Sequence, residues 1–235
     1  MRIVAPQQTP RCRAAAALRQ PAAAARARSR RPRNPSEPRG VGGPLTPPGE
    51  EVAITVRILL VRHAAHADLG RRLTGRADGA SLTPEGEGQA AALGRALAGE
   101  GLTAILASPR ERARATAEAI GRAADLPAGE EPLLDEIDFG AWTGAAFADL
   151  ASDPWWEHWN RARGSARAPG GESMAEAADR ILSLAARLAG GPRGARVALV
   201  THADLIRGLV ARVLGLPLDH LLRFEVGPAS VSRLE

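Results

Sequence analysis

The sequence of 235 residues contains one cysteine and no lysine. With Cys12 alone, an intrachain disulfide is impossible, and the sequence argues strongly against a cysteine-based metal site. No apolar run approaches the roughly 18 residues that cross a membrane, so we expect a soluble, cytoplasmic protein with no membrane partner. The absence of lysine indicates a coding bias towards arginine, which weakens any special interpretation of the basic charge.

The formal net charge of +5 is unevenly distributed along the chain. Residues 1–49 contain ten arginines and one acidic residue, Glu37, and so carry +9. The remaining residues contain 21 basic and 25 acidic groups and carry −4. The high pI therefore belongs to the N-terminal region, and no nucleic-acid partner is expected for the rest of the chain.

Residues 1–52 are rich in alanine, arginine and proline and have few large apolar side chains. Such a composition buries too little apolar surface to offset the entropy of ordering, so we predict a disordered extension. A functionless extension, an organelle-targeting segment and an arginine-rich nucleic-acid-binding segment remain alternatives for this region. Residues 53–235 are expected to form one folded catalytic domain.

Beyond this region, apolar, β-rich segments alternate with segments of helical periodicity. The pattern predicts strands at 54–62, 102–107 and 196–201, helices at 84–98, 110–123, 173–189 and 204–214, an irregular stretch at 130–171, and a closing antiparallel pair at 221–226 and 229–234. Alternating strands and helices predict an α/β fold, a three-layer α/β/α sandwich with a mostly parallel central sheet.

Ligands of such folds bind beyond the carboxyl ends of the strands, so the residues that follow each predicted strand are informative. These residues are Arg62 and His63, then Ser108, Arg110, Arg112 and Arg114, then Thr201 and His202. Arginines beside helix N-termini suit a phosphate or carboxylate, and a neutral imidazole can attack phosphorus. Each residue alone also fits an ordinary loop or solvated surface, and periodicity by itself leaves the two interpretations about even.

Six motifs sharpen this interpretation. They are LVRHA (60–64), LTGRADGASLTPEGEGQA (73–90), SPRERARATAEAI (108–120), EIDFGAWTG (136–144), PGGES (169–173) and LVTHADLIRGL (199–209). In content and order these motifs resemble those of the histidine phosphatase superfamily, the phosphoglycerate-mutase-like proteins. The resemblance covers residues 57–235 and implies the phosphoglycerate-mutase-like form of the α/β/α sandwich.

The resemblance implies a role for each matching residue. His63 is expected to be the phosphorylated nucleophile. Arg62, Arg112 and His202 are expected to grip the phosphoryl oxygens and stabilise charge in the transition state. Glu136 is expected to donate a proton to the leaving oxygen and then to activate water. No metal and no cofactor is implied.

Four further residues are expected to line the phosphate or substrate side of the site: Thr74, Gly75, His66 and Ala203. The segment after the nucleophile departs from the family pattern, because Ala64 replaces the usual glycine, and Ala65 and Leu69 replace polar residues. A methyl group at residue 64 is acceptable if its φ is negative. We expect the new polar residues, His66 or Asp68, to contact the substrate or orient the loop.

Other patterns allow competing interpretations. His63 and His66 have the HxxH spacing of a metal site, but no acidic or cysteine pattern accompanies them. His158 and His220 are interpreted as surface or packing residues. Three tryptophans in DPWWEHWNRAR (153–163) are more often packing residues than ligand contacts, although this segment is the best candidate for a cap and a source of specificity.

A phosphatase is favoured over a mutase, because the segment between Glu136 and Pro169 contains no obvious long lid. The leading hypothesis is thus a metal-independent phosphomonoesterase that acts on a small phosphate ester. A phosphoglycerate mutase and a catalytically weak phospho-ligand-binding protein are the alternatives. The sequence identifies neither the leaving group nor the oligomeric state.

Overall fold

The computed structural model describes residues 56–235, and the prediction for residues 1–52 lies outside that range. Within it, a five-stranded sheet has the order β3-β2-β4-β1-β5. The strands are β1 (Val56–Arg62), β2 (Ala104–Ala107), β3 (Ala128–Glu130), β4 (Ala195–Thr201) and β5 (Val231–Leu234). The first four strands are parallel, and β5 pairs antiparallel with β1. The prediction of a mostly parallel sheet is therefore confirmed.

Helices cover both faces of the sheet. They are α1 (Pro84–Leu97), α2 (Glu111–Ala124), α3 (Phe147–Leu150), α4 (Pro154–Arg161), α5 (Met174–Ala189) and α6 (Ala203–Leu214). On β1, Leu59 and Val61 pack with α1 and α2, whereas Ile58 and Leu60 belong to the core formed with α5 and α6. Successive side chains of a strand point to opposite faces, so this buried strand joins two cores in a three-layer sandwich.

Local sequence signals explain where two of the helices begin. Thr83 caps α1 by accepting a hydrogen bond from the Gly86 backbone N, and Pro84 occupies the first helical position. Ser173 caps α5 in a reciprocal capping box with Glu176. These contacts satisfy backbone N–H groups that have no partner inside the helix, and both helices begin within a residue of their predicted positions.

Three parts of the chain differ from the prediction, and the first is the stretch 130–171, predicted as irregular, which contains the short helices α3 and α4. Residues 221–226 are not a strand, because Leu218–Arg223 forms a 3-10 helix and β5 pairs with β1 instead. Leu218 and Leu221 are both buried, and their spacing of three residues matches the 3-10 repeat. Strand β3 was missed because its Ala-Gly-Glu sequence has no apolar alternation, and its pairing with β2 creates it.

Candidate active site

Three parallel strands end together at one edge of the sheet and bring the candidate residues into contact. The His63 backbone N donates to the Thr201 carbonyl over 2.9 Å, and the Ser108 N donates to the Val200 carbonyl over 2.9 Å. These bonds continue the sheet pairing just past β1 and β2. Beside them is a cavity of about 360 Å³, lined by residues that include His63 and Arg62.

His63 is held as a neutral imidazole whose Nε2 carries no proton. Its Nδ1 lies 2.8 Å from the Ala64 carbonyl, and since a carbonyl can only accept, Nδ1 carries the proton. Its Nε2 accepts from Arg112 Nε at 3.4 Å. Burial and the Arg112 charge hold the pKa of His63 well below its usual value. The Nε2 lone pair is therefore available to an electrophile at neutral pH.

Arg112 lies in the first turn of α2 and is almost fully buried. Its Nη2 donates to the Gly75 carbonyl over 2.8 Å and lies 3.2 Å from His202 Nδ1. Its Nη1 is buried and has no hydrogen-bond partner among residues 56–235. Leaving a guanidinium donor unpaired is costly, so this nitrogen is suited to an anion in the cavity.

His202 is fully buried between Arg112 and Ser108. Because its Nδ1 accepts from Arg112, its Nε2 carries the proton and donates to Ser108 Oγ over 2.8 Å. Its ring centroid is 5.1 Å from that of His63. Burial, followed by the Arg112 charge, holds the pKa of His202 well below its usual value. Both imidazoles are thus neutral, and the positive charge beside them comes from arginine.

Arg62, the last residue of β1, lines the same cavity. Its Nη1 donates to the Val226 carbonyl over 2.6 Å, which ties the guanidinium to the chain that precedes β5. Burial lowers the pKa of Arg62 from its usual value. The cavity therefore has guanidinium groups from β1 and from α2.

Glu136, the last of the candidate catalytic residues, lies in an irregular segment after β3. Its Oε1 accepts from the Ile137 backbone N at 2.9 Å, and its Oε2 is 3.6 Å from His202 Nδ1. Burial, and then the negative charge of Asp204, raise the pKa of Glu136 to about 7, against the opposing effect of Arg112. A carboxyl group with such a pKa can donate and accept a proton near neutral pH.

The four residues predicted on the substrate side also line the cavity: Thr74, Gly75, His66 and Ala203. The hydroxyl of Thr74 is buried with no hydrogen-bond partner among residues 56–235. Gly75 has a φ of +53°, and a Cβ there would come within 3.1 Å of Phe139. Ala203 begins α6, where backbone N–H groups lack helical partners.

His66 is buried, and its ring centroid is 5.3 Å from that of His63. Burial and the Arg112 charge lower the pKa of His66 to about 4, so its imidazole is neutral. Asp68 does not line the cavity. Ala64 is buried beside Ala90 and has no positive φ, which meets the condition for a side chain at that position.

The family comparison agrees with this geometry. The model of the histidine phosphatase superfamily (branch 1) matches residues 58–235. The chain belongs to this superfamily. A probable phosphoglycerate mutase GpmB from Salmonella paratyphi B is 32% identical over 185 residues, which cover 77% of this chain and 85% of that protein.

Solved structures of similar proteins include phosphatases. A mycobacterial glucosyl-3-phosphoglycerate phosphatase is 29% identical, with a TM-score of 0.67 over 75% of this chain and 88% of that one. A putative α-ribazole-5'-P phosphatase from Escherichia coli is 27% identical, with a TM-score of 0.68 over 76% and 89%. The present histidine phosphatase shares their fold and is a phosphatase enzyme.

Several cavity residues of this histidine phosphatase were not predicted from its sequence. They include Arg72, Phe139, Phe147, Asp204 and Arg207. The position of Arg207 could have been inferred from the sequence, because it lies one helical turn after Ala203 in α6 and so shares its helix face. Its Nη1 donates to Asp204 Oδ1 over 3.0 Å, while Arg163 donates to the other oxygen over 2.9 Å. The position of Phe147 could not have been inferred in this way, since it is brought in by the folding of the irregular stretch.

The tryptophan segment 153–163 supports the cavity wall without lining it. Trp159 is fully buried with its ring centroid 6.1 Å from that of Phe139, and Trp156 lies 6.2 Å from Phe147. The interpretation of these residues as packing residues is therefore the better one. Trp155 is exposed on the same short helix.

Three further observations concern the other histidines, metal binding and membrane crossing. His158 is exposed against Trp155, and His220 is half-buried, so neither contributes to the cavity. Within residues 56–235, no group of three or more histidine, cysteine or acidic side chains is arranged to hold a metal ion. In the same part of the chain, no helix has the length and apolar character needed to cross a membrane.

Proposed function

We propose that this phosphatase hydrolyses small phosphate monoesters through a phosphohistidine on Nε2 of His63, with Glu136 as proton donor and without a metal ion. The observation that carries the proposal is the meeting of three groups in one cavity. They are the unprotonated Nε2 of His63, the unpaired Nη1 of Arg112, and a carboxyl group of Glu136 whose pKa is raised to about 7.

Substrate binding is assigned to the cationic and hydrogen-bonding groups of the cavity. Arg62 and Arg112 neutralise the phosphoryl dianion, and the Thr74 hydroxyl and the backbone N–H of Ala203 add neutral donors. A bound dianion favours the charged form of His202. In this state Arg112 Nη2 exchanges its contact with His202 Nδ1 for a phosphoryl oxygen. His202 then takes up a proton at Nδ1, donates a hydrogen bond to the substrate through it, and helps to stabilise the transition state.

In the first chemical step, Nε2 of His63 attacks the phosphorus in line with the leaving oxygen. The N–P bond forms as the P–O bond breaks, and the electron pair of that bond stays on the leaving oxygen. Protonated Glu136 supplies the proton that converts this oxygen to an alcohol. The Ala64 carbonyl, which accepts from Nδ1, stabilises the positive charge that develops on the ring.

In the second step, water replaces the alcohol and attacks the phosphohistidine. Ionised Glu136 removes a proton from the water, the O–P bond forms, and the N–P bond breaks to release phosphate. His63 returns to its neutral form and Glu136 to its protonated form. A pKa of about 7 suits a carboxyl group that must serve first as acid and then as base.

The substrate class rests on the cavity and on the related phosphatases. The cavity volume of about 360 Å³ fits a small molecule, and its lining combines Phe139 and Phe147 with Arg72. The names of the related enzymes suggest sugar-linked, glycerate-linked or nucleoside-like phosphate esters. We further propose that residues 53–235 suffice for activity, and that the protein acts in the cytoplasm without a nucleic-acid or membrane partner.

The deciding experiment is hydrolysis of p-nitrophenyl phosphate by the purified protein in EDTA. We expect metal-independent activity that falls by about 10⁴-fold or more in His63→Ala, because the nucleophile is lost. His158→Ala is the matched control, since that histidine is exposed and lies outside the cavity. An active His63→Ala protein would contradict the assignment.

Mass spectrometry after an alkaline quench separates the alternatives. Alkali preserves phosphohistidine, so a phosphorylated peptide containing His63 is expected during turnover. Transfer of the phosphoryl group to added glycerate esters in preference to water would indicate a mutase, the activity named for the Salmonella relative. Tight binding of phosphate esters without any phosphohistidine would indicate a binding protein.

A further inference from the structure

The segment that carries Glu136 is held by arginines. In residues 133–138, which we call the acid segment, the carbonyls of Leu133 and Asp135 accept from Arg180 Nη1 at 2.8 and 2.9 Å. The carbonyl of Glu136 itself accepts from Arg76 Nε at 2.8 Å. Neither arginine lines the cavity, so their effect on the reaction must pass through the acid segment.

The carboxylate of Glu172 contacts both arginines, and Arg76 has further, longer ion pairs with Asp135 at 3.5 Å and Asp138 at 3.6 Å. Oε2 of Glu172 accepts from Arg76 Nη2 at 2.9 Å and from Arg180 Nη2 at 3.0 Å. The same oxygen accepts from the Asp138 backbone N at 3.0 Å, and the Glu172 backbone N donates to the Asp138 carbonyl over 2.7 Å. Charge-assisted hydrogen bonds of this kind are stronger and more directional than neutral ones.

Glu172 is not needed to begin helix α5. Ser173 caps that helix, and Glu176 completes the capping box by accepting from the Ser173 backbone N at 2.9 Å. The carboxylate of Glu172 points away from this arrangement to the two arginines. The glutamate in the PGGES motif therefore has a use separate from the helix start.

The two glycines near this carboxylate allow the backbones to approach. A Cβ on Gly171 would lie 2.1 Å from the Asp138 carbonyl oxygen, a distance that no real side chain shows. A Cβ on Gly140, whose φ is +51°, would lie 2.1 Å from the Pro169 carbonyl oxygen. The turn before α5 thus packs directly on the end of the acid segment.

We propose that Glu172 is a positioning residue for proton transfer. By holding Arg76 and Arg180 against the carbonyls of the acid segment, it fixes the Glu136 carboxyl group beside His202. This inference rests on the proposed function, in which Glu136 protonates the leaving oxygen. A displacement of about 1 Å in a catalytic group can reduce its effect by about a hundredfold.

The test uses two substrates that differ in their need for a proton. The p-nitrophenolate ion leaves without protonation, whereas the alkoxide of an alkyl phosphate such as glycerol 2-phosphate does not. The full chain and its Glu172→Gln variant are compared by kcat/KM, which reports the steps through the departure of the leaving group. We expect a loss of about ten- to a hundredfold on glycerol 2-phosphate and less than about threefold on p-nitrophenyl phosphate.

Glu176→Gln is the matched control. It removes a neighbouring carboxylate that pairs with Arg167 and makes no contact with the acid segment. This variant should lower both kcat/KM values equally or leave both unchanged. If Glu172→Gln fails to fold, as judged by thermal unfolding, Arg76→Met is tested instead. It removes the closer of the two arginine donors to the Glu136 carbonyl, at 2.8 Å against 3.4 Å for Arg180, and the same selective loss is expected.

Each outcome decides the matter. A selective loss on the alkyl substrate supports the proposal, and restoration of the ratio by Glu172→Asp would strengthen it. An equal loss on both substrates, or none, would overturn it while the proposed function stands. If the unmodified protein hydrolyses neither substrate, or if His63→Ala retains activity, the proposed function itself fails and this inference fails with it.

Discussion

His63 and His202 follow directly on two neighbouring parallel strands, whereas Glu136 lies in an irregular segment held by side chains from distant parts of the chain. On the side of the cavity with His63, Arg112 and His202, which we call the phosphoryl side, backbone hydrogen bonds between strand ends determine the spacing of the imidazoles. On the side with Glu136, which we call the proton-donor side, Arg76 and Arg180 hold the backbone of the acid segment instead. One half of the cavity is therefore positioned by sheet topology and the other by arginine–carbonyl and arginine–carboxylate contacts.

This difference makes the two halves separable by experiment. Loss of a group on the phosphoryl side should slow every substrate equally, because every phosphate ester presents the same phosphoryl oxygens. Loss on the proton-donor side should depend on how strongly the leaving group needs a proton. The loss of activity in His63→Ala is expected to be the largest effect of all, because no substrate can react without the nucleophile.

Arg112→Ala is expected to have the next largest effect. Removing the unpaired Nη1 donor and the contacts to His63 and His202 should reduce kcat/KM by about 10³-fold on aryl and alkyl phosphates alike. Arg114→Ala, an exposed neighbour on the same helix, is the control. A loss confined to alkyl phosphates would contradict the assignment of Arg112 to the phosphoryl side.

Glu136→Gln should lower kcat/KM on an alkyl phosphate by about 10²-fold and on p-nitrophenyl phosphate much less. The protonated form of Glu136 is present below pH about 7 and is lost as the pH rises, so alkyl phosphate hydrolysis should decline above that pH. The pH–rate profile of the variant should lack this decline. Burial and Asp204 raise the pKa, while Arg112 and Arg62 oppose them.

A profile for Glu136→Gln that still declines above pH 7 would assign the titration to another group. The substrate's own second ionisation is removed from the comparison by measuring both proteins with the same ester. His63 and His202 are not expected to titrate near pH 7 in the free enzyme, because their pKa values lie well below the usual range.

Arg72→Ala is expected to have the smallest effect. Arg72 lines the cavity but is exposed, and its Nη1 donates to the Gly144 carbonyl over 3.0 Å. A partly solvated cation contributes about 1 kcal/mol or less to an ion pair, so KM for a leaving group that carries a carboxylate should rise up to about fivefold. The kcat value should not change, and neither should the KM of esters whose leaving group is uncharged. An equal change in KM for esters with charged and with uncharged leaving groups would mean that the leaving group does not lie beside Arg72.

The sequence was most informative where the signals are local. Apolar runs predicted β1, β2 and β4, and Thr83, Pro84 and Ser173 predicted two helix starts, because capping and burial involve residues close in the chain. Since parallel strands end at one edge, the histidines after β1 and β4 could be expected to meet. The motif at residues 136–144 added Glu136 by family resemblance, which periodicity alone did not do.

What the sequence by itself determined was the order of the strands along the chain, their helical connections and hence the edge at which His63, Arg112 and His202 gather. Only the tertiary structure decided β3, the 3-10 helix Leu218–Arg223 and the way Glu136 is held. The physical reason is separation along the chain. Strand β3 exists through its pairing with β2, and the carbonyl of Glu136 is bonded by an arginine 60 residues away. The pKa of about 7 at Glu136 likewise comes from burial and from Asp204, which folding brings to the same cavity.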